Sequence, residues 1–203
     1  MKNLFIDRLL NRTAEWHARL GQNILLVNLM SSQVTLEDHI KYLSALYGFV
    51  SGFERYIFPE LAPFIHDLEK RKKTKVIEKD LALLGVKTVE FDKMPASYFR
   101  SMYHDPYAAL GALYVMESSV LGGHILKDHL KQTLDIHTIG KLKYFLSHRR
   151  TDEKLWRSFL EHFVAIADNS NKEENIIDGA LRTYRLLDQL MTEESVKMAV
   201  LAN

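Results

Sequence analysis

Apolar residues recur along this chain at intervals of three and four, while the strict alternation of a half-buried strand is hard to find. Leu10, Thr13, His17 and Leu20 share one helical face, and Leu43, Leu46, Tyr47, Val50 and Phe53–Glu54 share another. Thr35, followed by Leu36, Glu37 and Asp38, puts a capping side chain and early acids at a helix start, as the helix dipole favours. Lys75–Leu84 reads as a helix closed by Gly85. Asp105-Pro106 opens a long helix running to about Leu130, with proline in the tolerated first turn. Thr151-Asp152-Glu153 begins another, reaching about Ala167, and Lys172–Met191 forms the last. The four prolines are Pro59, Pro63, Pro95 and Pro106, so the first 58 residues and the last 97 are free of the residue that breaks helices. There is no internal repeat, low-complexity tract or linker. The expectation is a single all-α domain over residues 1–203.

Composition narrows the function by exclusion. With 27 basic and 26 acidic residues the net charge is +1, which argues against a nucleic-acid partner. The absence of cysteine removes disulfides, thiolate metal sites, cysteine-attached haem and a cysteine nucleophile. No run approaches a membrane span, and Lys2, Asp7 and Arg8 interrupt the N-terminus, so a soluble cytoplasmic protein without membrane anchor is expected. The residues three before the nine histidines include no acid, which excludes the Glu-x-x-His pairs of di-iron bundles. A His-Glu-x-x-His zinc motif, a Gly-x-Ser-x-Gly elbow and a phosphate loop are absent too.

Two features remain. His17 stands on an apolar helical face, where an imidazole either ligates haem iron or is a core histidine satisfied by backbone or water. Glu117-Ser118-Ser119-Val120-Leu121-Gly122-Gly123 lies within a strong helix, and each interior glycine costs about 1 kcal/mol relative to alanine. Either a flat ligand lies where a Cβ would clash, or a kink lets two helices pack closely.

Together these features bring out a resemblance. Arg12–His17 resembles the Thr-x-x-x-His segment that carries the proximal haem ligand in haem oxygenases. Ser32-Gln33-Val34-Thr35 follows at the family's spacing, then the helix with Tyr42, Leu46, Tyr47 and Phe53-Glu54. Lys75–Gly85 is similar to the Asp-Leu-x-x-Leu-Gly element of the bacterial branch, which includes members that accompany bacterial phytochromes. Leu113–Lys127 is similar to the distal helix, typically Tyr-Val-x-Glu-Gly-Ser-x-Leu-Gly-Gly.

The resemblance implies an all-α fold with haem between the first helix and a kinked distal helix, His17 as axial iron ligand, and Ser118, Ser119, Gly122 and Gly123 on the oxygen-bearing side. It implies cleavage of haem to biliverdin with release of iron and carbon monoxide, using O2 and electrons from a ferredoxin or flavoprotein reductase. Haem is then both substrate and cofactor. One departure stands out: Ser118 replaces the first distal glycine, so its hydroxyl either bonds to oxygen or water, tilts the haem, or blocks turnover. In the last case the chain is a haem-binding or haem-sensing protein. Gly21 departs as well, where some members carry a glutamate that accepts the imidazole N–H.

Haem propionates call for cations, for which Arg157, Lys154 and Arg12 are candidates against the reading of solvated helix faces. Tyr114 reads as a core residue or as part of a water network. Arg71–Lys75 reads as a solvated helix start or a dock for an acidic electron donor. His124 and Asp128 form a possible surface pair without function, and Trp16, Phe49, Phe53, Met102 and Met116 read as core.

Overall fold

Capping side chains set where three of the long helices begin. The computed structural model describes residues 3–86, 94–134, 141–144 and 149–201; within its helices the side chains of 120–122, 124, 149–152 and 194–201 are not described. Asn3 accepts from the Ile6 N–H and starts α1 (Leu4–Gly21). Asn23 caps the short α2 (Ile24–Leu29). Thr35 and Asp38 form the reciprocal capping box that opens α3 (Leu36–Tyr56). Two single-turn helices follow, α4 (Phe58–Leu61) and α5 (Leu68–Arg71). Next comes α6 (Thr74–Leu83), closed by Gly85 at φ +82°, as its sequence suggested. After α7 (Ala96–Met102), Asp105 caps α8 (Pro106–Thr133), with Pro106 in the first turn. The last two helices are α9 (Arg149–Ser170) and α10 (Glu173–Leu201), separated by Asn171 in the left-handed region at φ 54°.

Among the described residues there is no strand, in line with the all-α expectation. Helix α8 passes Gly122 and Gly123 without interruption, so any bend they allow is absorbed within a continuous helix. The short helices α2, α4, α5 and α7 lie between the segments that the periodicity marks.

The core forms where α8 meets α10, with α1, α3 and α9 around them. Ala108–Val115 of α8 is buried on every side, which is why this stretch is apolar throughout. The two helices cross backbone to backbone. A Cβ on Gly111 would lie 1.9 Å from the Ile176 carbonyl oxygen, and one on Gly179 would lie 1.9 Å from that of Ala108. Tyr103 and Thr183 hydrogen-bond through their hydroxyls at 2.8 Å beside this crossing. Phe49 and Phe53 are core, as expected; Trp16, Met102 and Met116 are half-buried and packed against it.

Candidate functional site

The helices enclose one large cavity of about 580 Å³, within the ~300–1,000 Å³ range of small-molecule sites. Helix α1 supplies Ile6, Leu10, His17 and Leu20; α8 supplies Tyr114–Ser119 and Gly123. The remaining wall comes from Tyr42, Leu46, Phe49 and Val50 of α3, from Trp156 and Leu160 of α9, and from Tyr184, Leu187 and Met191 of α10. Arg71, Lys73 and Tyr144 complete it.

His17 is exposed and lines this cavity, its ring edge-on to Tyr184 with centroids 5.8 Å apart. The core-histidine alternative therefore fails for His17. Among the described residues the buried histidine is His39 on α3, whose pKa burial lowers to about 4. Thr13, one turn before His17, turns its hydroxyl back to the Leu9 carbonyl at 2.8 Å. Among the described residues no three His, Asp or Glu side chains cluster as metal ligands. A lone imidazole on a cavity wall fits a metal whose other positions are filled by a macrocycle.

The facing stretch of α8 spends much of its hydrogen-bonding capacity on itself. Ser118 donates to the Val115 carbonyl at 3.1 Å and Ser119 to that of Met116 at 2.7 Å, the usual way for such hydroxyls to be satisfied within a helix. Burial, the largest effect, raises the Tyr184 phenol pKa to about 12, with Ser118 pulling it the other way. Tyr114 lines the cavity and stacks on Phe163 with centroids 5.2 Å apart, its hydroxyl pKa raised by burial. Gly123 lines the cavity. Gly122 belongs to α8 but lies outside the residues described beyond that, as does His124.

The charged groups are not where the sequence placed them. Arg12 is exposed and pairs with Glu174 at 3.2 Å; Arg157 and Lys154 are exposed; none of the three lines the cavity. Arg71 corrects the reading of Arg71–Lys75 as a solvated run, because it is only 1% exposed. Its guanidinium donates to both Asp67 carboxylate oxygens at 2.7 Å, to Glu117 Oε2 at 2.5 Å and to the Leu155 carbonyl at 3.1 Å. Glu117, next to Ser118, is buried. Desolvation raises its pKa, and Arg71 and Lys73 pull it back. Sequence reasoning missed Tyr184, Arg71, Lys73 and Tyr144 as cavity residues. No local signal marks the tyrosines, and the burial of Arg71 depends on a partner 46 positions away.

A family model described as Heme oxygenase matches residues 3–193. The solved heme oxygenase of Neisseria meningitidis, in its NO- and CO-bound forms, is 26% identical with a TM-score of 0.73, over 94% of this chain and 91% of that one. The heme oxygenase of Leptospira interrogans shares the fold at 14% identity, with a TM-score of 0.76 over 93% of this chain and 98% of that one. No curated protein matches. The likeness is thus to bacterial heme oxygenases, without distinguishing the phytochrome-accompanying branch.

Proposed function

Because the chain belongs to the haem oxygenase family, we propose that it cleaves haem oxidatively to biliverdin, with release of carbon monoxide and iron, using O2 and an external electron donor such as a ferredoxin or flavoprotein reductase. One observation carries this reading: an exposed imidazole on α1 and Ser118, Ser119 and Gly123 of α8 line the same apolar cavity. The residues fit a haem in chemistry as well as in size, with a single nitrogen donor, mostly apolar walls and no competing ligand cluster among the described residues.

When bound, haem supplies the iron at which O2 is activated and is itself the ring that is opened. His17 is the group to hold that iron, and neutral imidazole suits oxygen activation without the electron push of a thiolate. The buried Leu46 and Val50 give the wall an apolar lining that keeps bulk water from that side, which strengthens polar interactions inside. Tyr42, Tyr144 and Tyr184 have pKa values raised by burial, so their phenols stay protonated at working pH and serve as hydrogen-bond donors. Ser118, Ser119, Gly122 and Gly123 form the oxygen-side wall in this proposal, with Tyr114 beside them. Arg12 and Arg157 are left out of it, since neither lines the cavity. A cytoplasmic setting belongs to the same proposal. No helix among the described residues is long and apolar enough to cross a membrane.

Hemin titration of the purified protein, followed by ascorbate in air, tests the reading. Saturation at one haem, then loss of the Soret band to a broad red absorption, is the expected result. A stable complex that survives reduction favours the haem-binding or haem-sensing alternative, for which the hydroxymethyl of Ser118 in the cavity wall is the motivating feature. His17→Ala is expected to abolish the axial-ligand spectrum; an unchanged spectrum rejects the assignment.

A further inference from the structure

Helix α6 carries a carboxylate whose work lies outside its own helix. Asp80 is wholly buried, and both its oxygens face the backbone of a segment more than 60 residues further on. The Lys143 N–H donates to Oδ1 at 2.8 Å and to Oδ2 at 2.9 Å, and the Tyr144 N–H donates to Oδ2 at 2.6 Å. Two consecutive N–H groups on one ionised carboxylate make a strong, directional grip, because each bond is charge-assisted. Burial raises the Asp80 pKa, while these N–H groups and the Lys143 ammonium lower it.

The gripped segment adds Leu142 to the core and turns the Tyr144 side chain into the cavity wall. There the phenol lies near Tyr42 and Glu54 of α3 and Glu117 of α8, which with burial keep it protonated. We propose that Asp80 is a positioning residue, which seats the Tyr144 phenol in the cavity as a hydrogen-bond donor to an oxygen of the bound ligand or its water. The part that concerns the ligand rests on the haem reading above; the grip itself does not. Tyr144 is not on a long helix that would aim its side chain, so its placement depends on the two N–H groups that Asp80 holds. Asparagine in place of Asp80 has one oxygen to accept and no charge, and its NH2 would face an N–H.

Amide hydrogen exchange of Asp80→Asn reads the grip without any ligand. The Lys143 and Tyr144 amides are expected to lose protection by about tenfold or more, while the Leu81 amide keeps its own. Should that variant fail to fold, Asp80→Glu, which keeps the charge but displaces it by one methylene, takes the same test. The C–O stretch of the ferrous hemin–CO complex then reads the phenol. Asp80→Asn and Tyr144→Phe are expected to shift it in the same direction, and the double variant to shift it no further than Tyr144→Phe alone. Retained amide protection overturns the grip. Additive shifts, or a shift in Tyr144→Phe with none in Asp80→Asn, overturn action through Tyr144. A wild-type protein that takes up no hemin overturns the haem reading and the phenol's role with it, and the exchange result still decides what Asp80 holds.

Discussion

Replacing Arg71 with methionine tests what holds α8 against the cavity. Arg71 is 1% exposed and donates to Asp67, Glu117 and the Leu155 carbonyl. Methionine fills much of the same volume but supplies no donor. The Asp67 side chain is 28% exposed and can recover water. Glu117 is 7% exposed and cannot, so its carboxylate becomes a buried charge without its guanidinium. Removing one partner of a buried pair costs about 3–5 kcal/mol. The nearby positive charge of Lys73 places this case toward the lower end, about 3 kcal/mol. Arg71→Met/Glu117→Leu removes both charges and is expected to recover most of that loss, since apolar replacement of a buried pair is often neutral. The pH dependence follows from the same charge. Burial already raises the Glu117 pKa above 4.5, and losing the guanidinium raises it further. In the window above 4.5 the folded variant therefore binds a proton that the unfolded chain does not. Its stability falls as pH rises through that window, so its deficit against wild type shrinks on acidification. Urea unfolding followed by circular dichroism at about pH 7 and about pH 5 measures both effects. Equal deficits for the single and double variants, or a deficit of the same size at both pH values, would refute the reasoning.

The glycines of α3, α8 and α10 separate by what surrounds them. Gly111→Ala and Gly179→Ala are each expected to cost about 3 kcal/mol or more, because the obstructing atoms are backbone. Gly48→Ala, with nothing within 4 Å, is expected to stabilise α3 by roughly 0.5–1 kcal/mol; thermal unfolding of the three variants checks the contrast. For His39, the unfolded chain takes up a proton near 6.5 that the folded one refuses until about 4. Stability is lost as pH falls through that window, by up to about 3 kcal/mol, and His39→Gln is expected to flatten the slope in urea unfolding. Ser118→Gly removes a hydroxymethyl from the cavity wall and is expected to speed aerobic loss of the hemin Soret band. Slowing by about tenfold instead would show that the hydroxyl takes part in the chemistry.

What the sequence makes legible here is whatever repeats or caps. Helices α1, α3, α6, α8, α9 and α10 are long enough for the three-and-four spacing to register, and Thr35, Asp105 and Gly85 mark three of their ends. Helices α4 and α5 are four residues each, too short to be stable alone, so only their packing makes them helical. The place of His17 on the cavity wall was legible because a polar ring on an apolar face demands an explanation. Arg71 was not, because a charge run looks solvated until its distant partner is known. The glycine rule pointed to Gly122 and Gly123, yet it applies with equal force to Gly111 and Gly179, where the close approach is helix to helix rather than helix to ligand.

These observations meet in α8. The helix is fixed by the Gly111–Gly179 crossing, then by the Glu117–Arg71 pair two turns later, and the cavity-lining stretch begins between them at Tyr114. Both anchors are intolerant of displacement, one because backbone meets backbone and the other because a buried charge loses its partner. A wall held this way cannot drift to suit different ligands, and its serines already donate to their own helix. The other polar groups of the cavity wall come from elsewhere: the imidazole of α1, the Tyr184 phenol of α10, and the Tyr144 phenol, whose backbone N–H Asp80 holds.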